Sequence, residues 1–371
     1  MKKTSQLSVL FFLWCLHLQI SAQEANFWSQ PPSLFLTGFT DTYYAYDFNQ
    51  PEGSQRQTFL FNHNRHNEFN LNLGLIKLSI AHPKYRANFA LQTGTYANDN
   101  YAAEPGVLKN IFEANVGIAL NEKSNLWLDM GVLPSHIGFE SAISIDNMTL
   151  TRSLPAENSP YFLAGAKLTF TPDDRWEFAA LVVNGWQRIQ RLEGNSLPSF
   201  GTQVIYNLSE NISFNWSTFI GTDDPDETRR MRYFSNLYSQ FQVSEKLGLI
   251  AGFDLGFQER TRSGSDTDVW FSPVIIGQYI LSNTWKTAVR LEYYQDKTGI
   301  IIPTTSEDGF KTAGFSLNLD YAPNKIINWR IEGRWLNSSS DIFMNDSSSF
   351  TNNNVIIATS LAIRFDTKLT K

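Results

Sequence analysis

Few side chains in this sequence have the types and spacing that metal binding needs. His63 and His66 have two residues between them, as some metal ligands do, but they lie in an asparagine-rich stretch without nearby carboxylates in helical phase. Cys15 is the only cysteine, so cysteine-based zinc sites and thiolate nucleophiles are excluded. No glycine-rich phosphate loop leads from a strand into a helix. We expect no metal and no cofactor.

Hydrolytic chemistry is also poorly supported. His136 is the one histidine with hydroxyl and carboxyl groups nearby, at Ser135, Ser141 and Asp146. A catalytic triad is recognised by a nucleophile, its base and an orienting acid in mutual contact, and this spacing is no better than chance. We therefore expect no catalytic residues and no enzyme.

Charged residues of the C-terminal third share one face of three predicted strands, because successive strand side chains point to opposite faces. Cationic side chains that line a pore favour anions through the local potential. The interleaved glutamates could instead pair with the arginines and neutralise them, so we predict no net ion selectivity. The predicted pore-lining residues are Lys286, Arg290, Glu292, Arg330, Glu332, Arg334 and Arg364.

Apolar residues alternate with polar or small ones at a period of two through nearly the whole chain. This alternation places the charged residues above on one face of their strands. In 247–258, Leu247, Leu249 and Phe253 share one face, and Gly248 and Asp254 share the other. Such segments are long enough to cross a bilayer as tilted strands. We count about 16 of them, with 14 or 18 as alternatives. They lie at 36–46, 67–80, 85–96, 110–120, 124–133, 160–171, 174–185, 198–207, 211–221, 231–243, 246–258, 268–281, 284–296, 311–322, 326–337 and 354–366.

The connections alternate strictly between short turns and long polar loops. Turns such as 121–123 and 172–174 are built from Asn, Asp, Ser, Pro and Glu, whereas loops such as 47–66 and 134–159 are long. This alternation is typical of an outer-membrane barrel, with short periplasmic turns and long extracellular loops. We predict an all-β, transmembrane, antiparallel up-and-down barrel with both termini in the periplasm.

Aromatic residues near the strand ends suggest two girdles at the membrane interfaces. A soluble β-sandwich would also give alternating strands, but it offers no reason for turn lengths to alternate or for Trp to follow the short turns. The predicted periplasmic girdle is Tyr85, Trp127, Trp176, Trp285 and Trp329, and the predicted outer one is Tyr96, Tyr161, Trp186, Tyr233, Tyr294 and Trp335.

The first 22 residues have the pattern of a signal peptide. Lys2 and Lys3 precede an apolar stretch at 7–20, and small residues precede a cut after Ala22. We expect residues 1–22 to be removed and residues 23–371 to form one barrel domain. With 30 basic and 36 acidic residues there is no basic stripe, so nucleic acid is not expected as a partner.

The loop at 134–159 is the longest, and several of its residues are apolar, including Ile137, Phe139 and Leu150. Long loops without structure of their own are usually functional. We expect this loop to enter the lumen and narrow it; packing over the rim or adding a hairpin is the alternative. Its charged residues, as candidates for the constriction, are Glu140, Asp146, Arg152 and Glu157.

Several stretches resemble the putative β-barrel porin-2, OmpL-like family. They are YYAYDFN at 43–49, NEFNLN at 67–72, TRS at 151–153 and AENSPY at 156–161, followed by Gly165. The resemblance extends over most of the chain after the signal peptide. It implies the outer membrane of a Gram-negative bacterium and a porin-like role, without a defined substrate. Phe365 resembles the terminal aromatic residue of such proteins, but here residues 366–371 follow it.

Together these observations predict a porin for passive diffusion of small hydrophilic solutes, because about 16 strands leave room for an aqueous channel. The alternative is a non-conducting outer-membrane barrel whose extracellular loops bind a partner or a surface. The expected partners are the lipid bilayer, lipopolysaccharide and small hydrophilic solutes. Monomer and homotrimer both remain open.

Overall fold

The structure is a computed structural model that describes residues 28–346 and 349–370. The predicted signal peptide lies outside these residues. In the described part of the chain, sixteen antiparallel strands pair in sequence order and form a closed barrel. The ring closes where the first strand pairs with the last, from Phe35 opposite Lys368 to Asp47 opposite Ile356. The predicted fold class and strand number are confirmed.

The barrel strands coincide one by one with the predicted segments. They are β1 (Ser33–Asp47), β2 (Phe69–Ala81), β3 (Tyr85–Thr93), β4 (Ile111–Ala119), β5 (Leu126–Pro134), β6 (Phe162–Phe170), β7 (Trp176–Val183), β8 (Ser199–Ser209), β9 (Ile212–Gly221), β10 (Arg232–Gln242), β11 (Leu247–Glu259), β12 (Thr267–Ile280), β13 (Trp285–Asp296), β14 (Phe310–Tyr321), β15 (Ile327–Ser338) and β18 (Asn353–Lys368). The two remaining strands, β16 (Phe343–Met344) and β17 (Phe350–Thr351), form a small separate hairpin.

The faces of the strands are inverted relative to a soluble protein. In β14, Leu317 and Leu319 are exposed on the outside, whereas Ser316, Asn318 and Asp320 are buried inside. The lack of backbone partners in hydrocarbon forces a spanning sheet to close, and closure places one face toward lipid and the other toward the lumen. The exposed apolar belt is the surface that a bilayer would cover.

β12 departs from a regular ladder at one point. Its pairs with β13 are Trp270–Asp296 and Phe271–Gln295, and pairing resumes at Val274–Glu292. Pro273 has no N–H to donate, which explains the interruption. The Ser272 hydroxyl donates to the Tyr293 carbonyl at 2.6 Å and bridges the gap.

The loops carry short helices. They are α1 (Thr95–Asn100), α2 (Leu154–Glu157) and two 3₁₀ turns, Gly106–Asn110 and Ser144–Asp146. Among the described residues, none of the helices is long and apolar enough to cross a membrane. We call the end of the barrel with the long connections the loop end and the opposite end the turn end.

Apolar loop residues fill the loop end, which the prediction of polar loops did not anticipate. Wall residues near the loop-end termini of the strands, such as Phe219, Phe234 and Trp270, form one cluster with Phe59 and Phe343 from two loops. The burial of such large side chains offsets the entropy of ordering the loops. We call this set the loop-end cluster; its buried members are Phe59, Leu60, Ile137, Leu154, Leu163, Ala179, Leu181, Val183, Phe219, Phe234, Trp270, Tyr294, Ile302, Phe310, Leu336, Ile342 and Phe343.

Candidate functional site: the barrel interior

The segment between β5 and β6, which contains the predicted constriction loop 134–159, is bound to the inner face of β13–β15. The Arg290 guanidinium donates to the Thr149 hydroxyl at 2.7 Å and to the Thr151 carbonyl at 2.6 Å. Glu332 accepts from the backbone N–H and the hydroxyl of Thr151, each at 2.6 Å. Glu292 accepts from the Leu154 N–H at 2.5 Å. These charge-assisted bonds fix the loop to one wall.

Arg330 makes a second anchor on the same wall. Its guanidinium forms two bonds with Asp320, at 2.7 and 2.9 Å. It also donates to loop carbonyls, Ser144 at 2.6 Å and Asn147 at 2.8 Å. A planar fork that binds a carboxylate and still has donors for carbonyls is a property of arginine rather than lysine.

The loop also contacts strands β10 and β11, where glycines leave room for its side chains. A Cβ at Gly248 would lie 3.2 Å from the Met148 methyl, and one at Gly252 would lie 2.8 Å from the Phe139 ring. The Gly138 N–H donates to the Asn236 side chain at 3.0 Å. The segment therefore contacts two parts of the wall, β10–β11 and β13–β15.

His136, the histidine considered for hydrolysis, is part of this second anchorage. Its Nε2 donates to the Thr218 carbonyl at 2.8 Å, and its own carbonyl accepts from Ser217 at 2.6 Å. Burial lowers the pKa of His136 to about 4, so the ring is neutral at pH 7. Ser135 accepts from the Ile137 N–H at 3.0 Å instead of facing the ring.

The predicted pore-lining residues face the interior, but five of them are covered by the loop. Arg290, Arg330 and Glu332 are 0% exposed, and Glu292 and Arg334 are also buried. The basic residues are paired: Arg290 with Glu292 at 3.2 Å and Glu332 at 3.1 Å, and Arg334 with Glu292 at 2.7 Å. The prediction that these five line the channel is therefore corrected, because they are buried under the loop and all but Arg334 hydrogen-bond to it. Lys286 and Arg364 are half-buried.

The predicted constriction residues have three different environments. Arg152 is 0% exposed and donates to carbonyls of its own loop, at Ser141, Ala142 and Leu150. Asp146 is exposed and pairs with Arg364 at 2.8 Å. Arg152 thus shapes the loop from inside and does not face the lumen, which corrects its expected place at a constriction.

Glu157 is a buried carboxyl group and Glu140 a half-buried one, and both have backbone partners. Glu157 accepts from the Phe61 N–H at 2.9 Å and so ties the loop to the first long loop. Glu140 accepts from the N–H of Ser153 at 3.0 Å and from its hydroxyl. Burial raises the pKa of Glu157 to about 7 and raises that of Glu140. Glu157 therefore joins two loops and does not face the lumen.

Accessible charges lie on the opposite part of the wall, from β2 to β6. The Lys77 ammonium pairs with Glu113 at 2.5 Å, and Arg86 pairs with Asp129 at 2.5 Å. The side chains of Lys77 and Arg86 are 27% and 40% exposed. Our sequence reasoning did not single out these two cations. The same alternation would have placed both inward, since Lys77 lies between the outward Ile76 and Leu78.

Four of the five predicted periplasmic girdle residues point outward. Tyr85, Trp176, Trp285 and Trp329 share the face of exposed apolar neighbours, and Trp176 and Trp329 are themselves exposed. Trp127 does not: it shares the face of Asp129, and the Arg86 guanidinium lies 4.3 Å from its ring centre. A cation over an indole face explains why this Trp faces inward.

The predicted outer girdle is wrong for four residues. Tyr96 and Tyr294 are buried inside at 0% and 1% exposure, and Trp186 packs against the loop-end cluster. Tyr161 packs against Phe162 and its neighbours on the inside. Only Tyr233 and Trp335 of this set are exposed. Residues near long loops can pack against those loops, so nearness to a rim does not decide the face.

The two histidines considered for metal binding each make a hydrogen bond inside the protein. His63 is buried, and its Nε2 lies 3.0 Å from the Asp41 carboxylate. The Nδ1 of His66 accepts from the Asp47 N–H at 3.0 Å. Within residues 28–346 and 349–370, no group of three or more His, Cys, Asp or Glu residues could hold a metal ion.

Two cavities lie inside the barrel below the loop-end cluster. The larger, about 590 Å³, opens beside the short turns near Asp174 and Ser209 and extends inward to Met148. The second, about 390 Å³, lies between the loop segment 134–143 and residues of β2, β4 and β10. Gln240 lines both, so the two cavities are neighbours.

Solved structures share this architecture. The anion-selective porin from Comamonas acidovorans matches with a TM-score of 0.61 at 11% identity, over 90% of this chain and 100% of that one. The outer membrane channel DcaP of Acinetobacter baumannii has a TM-score of 0.58 at 13% identity, over 90% and 98%. OmpT of Vibrio cholerae in its trimer form has a TM-score of 0.59 at 7% identity, over 91% and 100%. At these identities the likeness shows the fold alone.

Comparison of the sequence itself gives one informative result. No curated protein matches this chain. The family model described as "Putative beta-barrel porin-2, OmpL-like" matches residues 33–365, which span the barrel from its first strand to Phe365 in the last. The chain therefore belongs to the putative beta-barrel porin-2, OmpL-like family of bacterial outer-membrane barrels.

Proposed function

We propose that this protein is a passive diffusion channel for small hydrophilic solutes. The observation that carries the proposal is a closed barrel of sixteen strands with a polar inner face and an apolar outer face. Barrels of this size can enclose an aqueous passage. The water-accessible ion pairs Lys77–Glu113 and Arg86–Asp129 are the side chains that would meet a solute entering from the turn end. Neither the family nor the fold suggests an enzyme.

We further propose that the loop 134–159 narrows the passage. Its hydrogen bonds to Glu332 and Asn236, on β15 and β10, support a loop that crosses the lumen instead of lying over the rim. The loop leaves the wall at β5, returns at β6 and is held on β10 and β15, so it leaves a restricted route that only small solutes would pass. Glu140 and Asp146 are its carboxylates closest to solvent-filled space, one beside the cavity of about 390 Å³ and one exposed.

The cellular arrangement is part of the same proposal. Residues 1–22 direct export and are removed, leaving 23–371 as the barrel. The turn end and both termini face the periplasm, and the apolar belt contacts lipid and lipopolysaccharide. Vibrio cholerae OmpT, which shares the fold, is described in a trimer form, and we propose a homotrimer here as well.

Planar bilayer recordings test the channel. Purified protein should give reproducible stepwise conductance, and liposomes that contain it should swell in small sugars and not in large ones. A matched variant, Arg290→Met, loosens the loop on one wall and should raise the step size. Silent bilayers with correctly folded, heat-modifiable protein would overturn the proposal.

The loop-end cluster favours a second candidate, a non-conducting barrel whose loops bind a partner. It joins wall residues from β6 to β15 with residues of several loops, including Leu60, Ile302 and Ile342. Such packing would block the loop end of the barrel if the loop-end cluster stays closed. The same recordings separate the two candidates, since a non-conducting barrel gives no steps whatever the solute.

A further inference from the structure

The cavity of about 390 Å³ beside the loop is bordered by aromatic rings that are not fully buried. Phe112, Phe139, Tyr161 and Tyr238 line it and are each half-buried. Two edge-to-face pairs hold three of these four rings in place, all but Phe112. The Phe139 and Tyr238 ring centres are 5.5 Å apart, and those of Tyr161 and the buried Tyr96 are 5.7 Å apart. The rings are therefore fixed before any ligand arrives.

Polar groups stand among the rings. The Glu113 carboxylate lines the cavity and pairs with Lys77, which lines it too. Glu140 lies on the loop side of the cavity, and Gln240 lies on the barrel wall. Carboxylate and amide oxygens accept hydrogen bonds from hydroxyl groups, and the Gln240 amide N–H₂ can donate to them. These groups can orient a ligand that carries several hydroxyls.

The lining has little net charge. Lys77 and Glu113 neutralise each other at 2.5 Å. The Glu140 carboxylate already accepts from the N–H of Ser153 at 3.0 Å and from its hydroxyl, so part of its capacity to bind a cation is used. An ionic ligand would lose its hydration here without gaining an unpaired counter-charge. A neutral ligand avoids that loss.

We propose that this cavity is a binding site for a neutral sugar of one or two rings. Slightly positive C–H groups on a pyranose face would lie on the negative faces of Phe139 and Tyr238. The hydroxyls at the ring edge would bond Glu113, Glu140 and Gln240. Ligand pockets usually begin near 300 Å³, and the cavity of about 390 Å³ is at the small end of that range.

The site has a neighbouring cavity on the side of the turn end. The cavity of about 590 Å³ shares Gln240 with it and opens beside the short turns. The inference rests on the proposed function, because a channel would bring sugar to the site. It adds that the channel holds this class of solute briefly instead of only sieving by size.

The test measures binding separately from conduction. Isothermal titration of the full processed barrel in detergent, with glucose, maltose and maltotriose as probes, should show saturable binding of the first two and weaker binding of the third. In bilayers, glucose and maltose should block the current in a saturable way. Tetramethylammonium should neither bind nor block.

Matched variants locate the site. Tyr238→Leu and Phe139→Leu should weaken sugar binding about fivefold to tenfold, because each removes a ring face. Tyr233→Leu, on the lipid-facing side of the same strand as Tyr238, and Phe315→Leu, also outward, should bind as the unchanged protein does.

The outcomes separate the two proposals. Conductance without saturable sugar binding overturns the site and leaves the channel. Sugar binding without conductance supports the site and overturns the channel. Binding that is unchanged in Tyr238→Leu and Phe139→Leu, or binding of tetramethylammonium in place of sugars, overturns the site; retention of heat-modifiable mobility excludes misfolding of the variants as the cause.

Discussion

Arg290 on β13 and Glu332 on β15 lie 3.1 Å apart across β14, and both are completely buried. Each also binds Thr151 of the loop. The pair thus connects two barrel strands with the segment that crosses the interior. Removing two charges from water costs desolvation free energy, so both groups need nearly complete pairing. The loop helps to supply this pairing.

Loss of Arg290 should release the loop. In Arg290→Met, Glu292 and Glu332 lose a buried partner, and breaking such a pair typically costs about 3–5 kcal/mol. We expect a lower midpoint of thermal unfolding in detergent and a larger, noisier conductance step. Arg260→Met is the control, because Arg260 pairs with Asp268 at the surface and is 56% exposed. Equal stability of the two variants would contradict the anchoring role.

The accessible pair Arg86–Asp129 should control ion preference. Arg86→Gln leaves the Asp129 carboxylate on a wall that water reaches, so the reversal potential under a salt gradient should shift toward cations. Asp129→Asn should shift it toward anions. Arg330→Gln, which alters a covered pair, should change the preference less than Arg86→Gln does. A larger shift from Arg330→Gln would contradict this prediction, because it would mean that the water-filled lumen lies beside β13–β15 and not beside β2–β6.

Glu157 should make the docking of the first loop depend on pH. Burial raises the pKa of this carboxyl to about 7, above the ordinary value of 4.5. The folded protein then binds the proton more tightly than the unfolded chain, so this group's contribution to stability is greatest below pH 4.5 and is lost as the pH rises to about 7.

The measurement is protease cleavage within residues 48–68, between β1 and β2, over pH 4.5–8.5. Cleavage should become faster as the pH rises and level off above 7. Glu157→Gln cannot ionise, so its cleavage rate should follow only the intrinsic pH dependence of the protease, measured on an unfolded control. A parallel rise in both proteins would remove Glu157 as the cause.

Gly131 should tolerate no side chain. It has a φ of 131°, and a Cβ there would collide with the Ala114 carbonyl oxygen of β4. A strained backbone at such a position costs about 1–3 kcal/mol before the collision is counted. Gly131→Ala should lower the yield of heat-modifiable barrel sharply. Gly333→Ala is the control, since nothing lies within 4 Å of its Cβ position.

The two faces of the barrel should respond oppositely to a new charge. Leu317 is 54% exposed on the outer face of β14, so Leu317→Arg places a cation in lipid, at a cost of about 2–4 kcal/mol near the middle of the bilayer. Ser213 of β9 lines the cavity of about 590 Å³, so Ser213→Arg puts the same group in water. Insertion into liposomes should fail for the first variant only.

The strands and their faces were predictable from the sequence because the information is local. In β13 and β15, neighbouring residues such as Val289 and Arg290, or Glu332 and Gly333, report their faces by alternation alone. The same rule would have indicated the inward position of Lys77. We predicted an outward Trp127 because it is near a turn. Asp129, two positions further on, indicates by the same alternation that Trp127 faces inward.

The path of the loop could not be predicted in this way. Leu154 binds Glu292 across 138 positions of sequence, and Thr151 binds Glu332 across 181. Contacts of that separation carry no periodic signal, and they decide which inward charges meet water and which are sealed. By itself the sequence determined a barrel of about sixteen strands with a polar inside. The tertiary structure alone decided that the arginines of β13 and β15 hold a loop and that the accessible charges lie opposite, because burial depends on what packs above a face and not on the face itself.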